Sequence, residues 1–236
     1  MDIIIVIPTY NEEQNILKLI RYIKRSVNAY IIIVDDSSNN HTKNLVSKIE
    51  NIFYFKRNKK LGRGSAVLFG LKKGLKIKKK INFFVEMDAD LSHSPSELKR
   101  NINYFKNNSL DLLIASRYLK HSSIINWPIS RRIFSYLSNF LARILLRIPV
   151  SDYTNGFRIY SKQATEVITK KAGNIGDGFI ILSEILLILH NNNFKIADIK
   201  SKFVNRVRGN SSINFKLIKE SFVGLIKLFL NKKKII

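Results

Sequence analysis

After two residues, the chain continues with Ile3-Ile4-Ile5-Val6-Ile7-Pro8-Thr9-Tyr10-Asn11-Glu12. Its first five residues are all β-branched, and such side chains favour extended backbone. An unbroken apolar run of this kind is typical of a strand that is buried on both faces, as in parallel sheets. We therefore predict a first strand over residues 3–7, with polar residues directly after its carboxyl end.

Similar apolar runs recur in the first half of the chain, at residues 30–34, 52–55, 81–87 and 110–115. Stretches with helical spacing separate them, such as residues 12–27 and the expected helix of residues 39–49. Ser94 and Pro95 place a cap and a first-turn proline before a further helix over residues 98–105. The alternation predicts an α/β fold with a mainly parallel sheet flanked by helices, in which ligands bind beyond the carboxyl ends of the strands.

Length and composition predict one catalytic domain, because 236 residues with 45% hydrophobic content can bury a substantial core. The chain has no cysteine, which excludes disulfides, thiolate metal sites and a cysteine nucleophile. Its net charge of +24 attracts polyanions such as nucleic acid, anionic lipid or a phosphorylated substrate. Codon bias toward Lys, Asn and Ile would produce the same charge, so composition does not choose among these partners.

Asp88 and Asp90 follow the fourth apolar run and lie two residues apart. In extended backbone, side chains at this spacing project from the same face. Two carboxylates can then share a hard divalent cation, Mg²⁺ or Mn²⁺, which keeps positions open for the phosphates of a nucleotide diphosphate. The alternative for an isolated Asp-x-Asp pair is a solvated turn.

Two further motifs follow the second and third strands. Asp35 and Asp36 are placed either to accept hydrogen bonds from a ribose or base, or to cap the following helix. Residues 61–66, Leu-Gly-Arg-Gly-Ser-Ala, are expected to form a glycine-containing turn that lets the backbone approach a ligand. This turn lacks the Lys-Ser/Thr ending of a phosphate-binding loop.

In order and spacing, the motifs at 8–12, 34–38, 62–66 and 87–95 resemble those of the family 2 glycosyltransferases, specifically the dolichol-phosphate (polyprenol-phosphate) mannosyltransferase group. The resemblance continues through residues 115–118, 152–158, Glu184 and 205–211, and so covers nearly the whole chain. Departures occur at Asn40-His41, where the family usually has Asp-Gly, at Ala115, which replaces a Gly, and at Ser212, which often is basic.

The resemblance implies an inverting enzyme of the GT-A (Rossmann-like) fold with a metal-bound nucleotide-sugar donor. The donor pocket that it implies consists of Pro8, Tyr10, Glu12, Val34, Asp36, Asp88, Ala89, Asp90, Ser92 and Arg206. Asp88, Asp90 and Ser92 would surround Mg²⁺ or Mn²⁺. The acceptor phosphate would be held by Arg117 and Arg131, and Glu184 is either an acceptor-site group or a paired buried acid. Catalysis would rest on Asp90, Arg117 and Arg131.

In this mechanism the lipid phosphate attacks the anomeric carbon of the sugar. A phosphate monoester has a second pKa near about 6 and is largely dianionic at neutral pH, so it needs no general base. It does need positioning against an anionic donor, which arginines and a metal provide. GDP-mannose and dolichyl or polyprenyl phosphate are the favoured substrates. UDP-glucose, UDP-N-acetylglucosamine or another donor, and a polysaccharide acceptor, are the alternatives within the fold.

Two basic amphipathic segments are expected to meet the lipid, namely residues 130–147 and a helix from about Asn214. We predict a catalytic domain over residues 1–212, which includes the first segment, and a C-terminal helix over 213–236. Each segment has an apolar face that either lies in a bilayer interface or packs against the core. The apolar residues concerned are Ile133, Phe134, Leu137, Phe140, Leu141, Ile144 and Leu145 in the first, and Phe215, Ile218, Phe222, Leu225, Ile226 and Phe229 in the second.

We expect a peripheral protein on the cytoplasmic face of a membrane, because the apolar runs are too short for a signal peptide or a transmembrane helix. Attachment would use its own basic helices or a membrane-embedded partner subunit. A basic nucleic-acid-binding protein and a non-catalytic membrane scaffold are the alternatives of a different class. No helix-turn-helix, zinc-finger or RNA-binding signature is present in the sequence, so we do not expect a nucleic acid partner.

Overall fold

The computed structural model describes residues 1–37, 39–176, 180–205 and 215–232, with side chains from residue 222 onward in the last range. Strands occupy nine segments of this part of the chain: β1 (Ile3–Thr9), β2 (Tyr30–Asp35), β3 (Ile52–Lys56), β4 (Phe83–Glu86), β5 (Leu112–Ser116), β6 (Ser123–Ile125), β7 (Arg158–Ser161), β8 (Ile196–Lys200) and β9 (Lys202–Val204). Helices occupy eight: α1 (Glu13–Ser26), α2 (His41–Val46), α3 (Arg63–Leu75), α4 (Leu98–Asn107), α5 (Ile129–Leu146), α6 (Lys162–Lys171), α7 (Ile180–Asn191) and α8 (Phe215–Asn231).

Seven of the strands form one sheet in the order β3-β2-β1-β4-β7-β5-β8, and β6 pairs with β9 beside it. Four of its six strand pairings are parallel, and β7 runs antiparallel between β4 and β5. Because β5 is antiparallel to β7, it points the same way as β4. The carboxyl ends of β1, β2, β4 and β5 therefore meet at one edge of the sheet. The expected α/β fold with a mainly parallel, helix-flanked sheet is confirmed.

The core has two layers, one on each face of the sheet. On one face, β1 contributes Ile4 and Val6 to a cluster that also takes residues from α3, α5, α6, α7 and α8. On the other face, Ile5 and Ile7 pack with residues of α1, α2 and α4. The alternation of β1 side chains between two buried layers explains why the strand is apolar at every position.

Helix α3 begins where the sequence predicted only a turn. Gly62, with φ of 89°, precedes the helix, and Gly70 and Gly74 lie on its buried face. A Cβ atom on Gly70 would lie 2.4 Å from Cγ1 of Val6, so the helix reaches β1 only because this side chain is absent. Glycine lowers helix propensity, which hid the helix in the sequence, whereas close packing on the sheet stabilises it.

Other predictions need smaller corrections. The five predicted strands and the helices of residues 12–27, 98–105 and 130–147 are present within about two residues of their expected ends. Ser94 is not a side-chain cap, because its hydroxyl contacts Ser96 and a 3-10 turn over Pro95–Glu97 comes before α4. The inserted strand β7 and helix α6 were not predicted. The division at residue 212 stays a prediction, and Leu225 and Leu228 of α8 are buried in the core.

We expect Gly70→Ala to lower the free energy of unfolding by about 1–3 kcal/mol, because overpacking against Val6 outweighs the helix propensity of alanine. Chemical denaturation measures the change. Lys72→Ala, on the exposed side of the same helix, is the control and should change stability by less than about 0.5 kcal/mol. A Gly70→Ala protein at least as stable as the wild type would contradict the close approach of α3 to β1.

Candidate active site

Polar segments follow β1, β2, β4 and β5 and lie together at the carboxyl edge of the sheet. The segments after β1 and β2 are joined directly, since the backbone N–H of Asp36 donates to the carbonyl of Thr9 at 3.0 Å. Similarly, the N–H of Met87, just before the Asp88–Asp90 segment, donates to Val6 at 3.2 Å. The edge therefore gathers several of the predicted site residues, from distant parts of the sequence, into one region.

A partly buried arginine holds two carboxylates at the end of β4. Arg63 Nε donates to Asp88 at 2.7 Å, and its Nη1 donates to Glu86 at 2.6 Å. Glu86 is fully buried and also accepts a hydrogen bond from the Tyr160 hydroxyl at 2.7 Å. Burial alone would lower the pKa of Arg63, but the charges of Asp88 and Glu86 raise it, so the guanidinium stays charged. Gly156 leaves the space that Arg63 occupies, because a Cβ there would lie 1.8 Å from Nη2.

Sequence reasoning missed both Glu86 and Arg63. Glu86 stands inside an apolar run, where a charged residue is a signal in itself, since a buried carboxylate needs a partner. Arg63 stands between the two glycines of the 61–66 motif, which drew attention only to its backbone.

The segment after β4 turns back on itself and presents Asp88, Asp90 and Ser92. Leu91 has φ of 62°, and the Asp90 carboxylate accepts the backbone N–H of Ser92 at 3.0 Å. The backbone N–H of Asp88 donates to His93 Nδ1 at 3.0 Å. His93 Nε2 therefore carries the proton and donates to the Asn155 side-chain oxygen at 3.0 Å. His93 thus fixes the turn through both of its ring nitrogens.

Asp88, Asp90 and Ser92 suit a divalent metal that is completed by phosphate and water. Within the described ranges no three His, Asp or Glu side chains are grouped as a protein-only metal shell. Mg²⁺ and Mn²⁺ commonly take only one or two carboxylates and receive their other ligands from substrate phosphates and water. The Ser92 hydroxyl is buried and has no hydrogen-bond partner among the described residues, so an oxygen ligand is available beside Asp90.

The predicted donor residues in β1, in β2 and between β1 and α1 differ in how accessible they are. Tyr10 is 45% exposed, and the ammonium of Lys60 lies 4.0 Å from the centre of its ring. Glu12 belongs to the start of α1, where its carboxylate accepts from Asn15 at 2.8 Å. Pro8 pairs with Val34 in the sheet, and Val34 is fully buried. Tyr10 is therefore the most accessible of the predicted donor residues in this region.

Asp36 is bound on both carboxylate oxygens by Arg57. Arg57 Nε and Nη2 lie 2.5 and 2.7 Å from the two oxygens, and the backbone N–H of Leu61 donates to the same carboxylate at 3.0 Å. Arg57 also donates to Ser65 Oγ at 2.8 Å, which ties Asp36 to the first turn of α3. Asp36 is therefore not a helix cap, and little of its hydrogen-bonding capacity remains for a ligand.

Asp35 is an internal partner, since its carboxylate accepts from Ser37 and from the Tyr54 hydroxyl. Ala89, between Asp88 and Asp90, is buried and has only a methyl side chain.

Arg117 follows β5 and is fixed by Asp152. Its Nε and Nη2 each donate to the Asp152 carboxylate at 2.8 Å, and its backbone N–H does so at 3.0 Å. Burial would raise the pKa of Asp152, but the charge and hydrogen bonds of Arg117 lower it below its ordinary value. Nη2 also donates to the hydroxyl of Thr154 at 2.6 Å. The guanidinium is thereby held in one orientation.

Arg131, in the first turn of α5, lies on the same side of the molecule as Arg117. Its Cζ is 4.1 Å from the centre of the Trp127 ring, and Cζ of Arg117 is 5.4 Å from the centre of that ring. Arg131 Nη1 also donates to the Asn205 side-chain oxygen at 3.1 Å. A groove of about 430 Å³ starts beside Arg117 and is lined by Arg117, Tyr118, Ile124, Arg132, Ile133, Tyr136 and Leu137.

Glu184, predicted as an acceptor-site group or a paired buried acid, is bound by a different part of the chain. Glu184 is buried in α7, and its carboxylate accepts the backbone N–H groups of Gly173 and Asn174 at 2.9 and 3.1 Å. Burial raises the pKa of Glu184, against the effect of these hydrogen bonds. These contacts favour the alternative of a paired buried acid. Arg206 lies outside the described residues, as does Ser212.

Known proteins resemble the chain in sequence. Polyprenol monophosphomannose synthase of Mycolicibacterium smegmatis is 30% identical over 224 residues, which cover 92% of this chain and 83% of that protein. Dolichol-phosphate mannosyltransferase of Pyrococcus furiosus is 33% identical over 236 residues, or 97% of this chain, which spans only 64% of that relative.

Solved structures share the fold. Mannosyl-3-phosphoglycerate synthase from Rubrobacter xylanophilus has a TM-score of 0.70 at 13% identity, with 99% of this chain and 75% of that one covered. Glucosyl-3-phosphoglycerate synthase from Mycobacterium tuberculosis, in complex with Mn²⁺, UDP-glucose and phosphoglyceric acid, has a TM-score of 0.68 at 16% identity, with 96% and 79% covered. The model of the family described as glycosyl transferase family 2 matches residues 4–169, most of the site described above, and the chain belongs to that family.

Proposed function

We propose that the protein transfers a sugar, with mannose from GDP-mannose as the first candidate, onto a dolichyl or polyprenyl phosphate at a membrane surface. The observation that carries the proposal is the pairing of Arg117 and Arg131 on one indole ring beside a groove with an apolar wall. An amphiphile with one phosphate and a long hydrocarbon chain matches such a site. The two sequence relatives, named for transfer of mannose to polyprenol or dolichol phosphate, support the same substrate class.

The donor would bind at the carboxyl edge of β1, β2 and β4. Asp88, Asp90 and Ser92 would hold Mg²⁺ or Mn²⁺, which neutralises charge on a departing nucleoside diphosphate. Arg63 fixes Asp88 through one of its oxygens and so leaves the other turned toward His93, 3.8 Å away. Tyr10 offers an exposed ring at the side of this edge, where a nucleotide base can stack.

The acceptor would approach from the side of Arg117. A phosphate oxygen of the lipid forms a bond to the anomeric carbon of the sugar while the bond from that carbon to the diphosphate breaks, so the configuration inverts. The phosphate is already deprotonated at neutral pH, and no base is assigned. Arg117, oriented by Asp152, and Arg131 offset the repulsion between the two anionic substrates.

The exposed side of α5 and α8 would contact the lipid surface. Helices α5 and α8 pack against each other and leave large apolar side chains in solvent. The most exposed are Ile129, Ile133, Tyr136, Leu137, Phe140, Ile144, Phe222 and Leu230, each at least 49% accessible. We call this the α5–α8 apolar surface. Basic residues such as Arg132, Arg143, Arg147 and Lys227 are exposed on the same two helices or directly after α5, as expected for contact with anionic headgroups. None of the described helices has both the length and the apolar content needed to cross a bilayer.

We expect lipid-linked mannose when the protein is incubated with radiolabelled GDP-mannose, polyprenyl phosphate, detergent and Mg²⁺. Asp90→Asn should reduce the rate at least about a hundredfold, because metal stabilisation of the leaving charge is worth several kcal/mol. Asp2→Asn, directly before β1 and so at the opposite edge of the sheet, is the matched control and should transfer at the wild-type rate.

A parallel reaction with UDP-glucose separates the donors. Transfer from UDP-glucose alone would keep the lipid-phosphate acceptor and overturn the choice of donor. An active wild-type protein whose Asp90→Asn variant is equally fast would remove the metal site from the account. If neither donor labels the lipid, the proposed function is wrong.

We expect the double variant Phe140→Glu/Ile144→Glu to lose at least about 90% of its binding to vesicles rich in phosphatidylglycerol, since it places two charges in the α5–α8 apolar surface. Vesicle flotation measures the bound fraction. The matched control is Tyr22→Glu/Leu45→Glu, which changes two exposed apolar residues of α1 and α2, on the other face of the sheet. If the Phe140→Glu/Ile144→Glu variant binds vesicles as well as the control variant does, another surface meets the membrane.

A further inference from the structure

Trp127 is the only tryptophan in the chain, and it lies between β6 and α5. Its side chain is buried, with 7% of the residue accessible. The guanidinium carbons of Arg131 and Arg117 lie 4.1 and 5.4 Å from the centre of its ring. Two arginines from different elements, one after β5 and one in α5, therefore share a single aromatic partner.

The position of the Trp127 ring is set by neighbouring side chains and not by a hydrogen bond of the indole N–H. Among the described residues the buried indole N–H has no hydrogen-bond partner, although buried polar groups are usually paired. Phe203 of β9 packs against the indole edge-to-face, with ring centres 5.2 Å apart. Phe203 itself lies 5.5 Å from the guanidinium carbon of Arg117. Aromatic and cation–π contacts are thus what hold Trp127 where it is.

Bringing two guanidinium groups close together is unfavourable in itself, because like charges repel. The negative face of an indole offsets part of that repulsion, and tryptophan does so better than the other aromatic residues. Arg117 is also oriented by Asp152, and Arg131 is also bonded to Asn205. Each arginine is thus held at one side by a polar partner, while the indole is the contact that the two have in common.

We propose that Trp127 is a positioning residue that holds Arg117 and Arg131 together as one clamp for the acceptor phosphate. The inference rests on the proposed function, since it assumes that the two arginines bind this group. It adds a requirement beyond the presence of the two arginines, namely that both must contact the same aromatic ring. Trp127 acts through the arginines and is not assigned a contact with the reacting atoms.

Two substitutions separate the aromatic face from mere bulk. Trp127→Leu keeps an apolar side chain but removes the face, and we expect the KM for polyprenyl phosphate to rise about tenfold or more. Trp127→Phe keeps an aromatic face without the N–H, and its KM should stay within about threefold of the wild type. In both variants the KM for the nucleotide-sugar should change less than about twofold, because the β4 end of the site is untouched.

The single tryptophan also permits a direct binding test without any substitution. Titration of the wild-type protein with polyprenyl phosphate in detergent should change the indole emission with saturation, because the charges beside the ring are then neutralised. Free polyprenol, which lacks the phosphate, should leave the emission unchanged. The Trp127→Phe protein serves as the blank, since its loss of signal assigns the emission to this residue.

The outcomes distinguish this inference from the proposed function. If the wild type transfers sugar to polyprenyl phosphate but Trp127→Leu has an unchanged acceptor KM, the clamp is wrong and the function stands. An equal rise in both KM values would also overturn the clamp, because it would indicate general loss of structure. If no transfer occurs but polyprenyl phosphate still changes the emission, the clamp stands and the function fails. No emission change in the wild type overturns the clamp even if the Leu variant does not fold.

Discussion

The guanidinium of Arg63 lies between Glu86 and Asp88 at the end of β4, and the geometry of the candidate donor site depends on that contact. A fully buried carboxylate such as Glu86 is costly unless it is paired, so the strand can carry its acidic residues only with a cation beside them. Arg63 reaches them because α3 begins directly after Gly62 and because Gly156 has no side chain. The same contact orients Asp88, leaving one carboxylate oxygen turned toward His93.

A chain of aromatic contacts connects this region with the arginines of the proposed acceptor site. His93, which accepts the backbone N–H of Asp88, packs against Phe203, and Phe203 packs against Trp127. The N–H of Val204 also donates to the carbonyl of Ser92 at 3.1 Å. Strand β9 therefore contacts both halves of the site. This arrangement gives a physical reason for the proposed donor and acceptor residues to keep a fixed separation, as the proposed in-line attack requires.

The sequence was sufficient to predict β1 to β5, because their apolar runs and the helical spacing between them are local signals, and it placed Asp88 and Asp90 directly after a strand. It was insufficient where packing decides. Helix α3 is glycine-rich and depends on contact with β1. Strand β7 is only four residues long and inserts between β4 and β5, both of which lie far from it in the chain. The partners of charged groups, such as Arg57 for Asp36, depend on tertiary contacts and were likewise not predictable.

We propose that the carboxyl end of β4 binds the metal together with the donor diphosphate. Electron paramagnetic resonance tests it directly, because free Mn²⁺ has a sharp six-line signal that diminishes when the ion binds to protein. We predict that wild-type protein with GDP-mannose removes more of this signal than GDP-mannose alone, and that Asp88→Asn and Asp90→Asn lose this additional binding. Undiminished Mn²⁺ binding by both variants would contradict the claim.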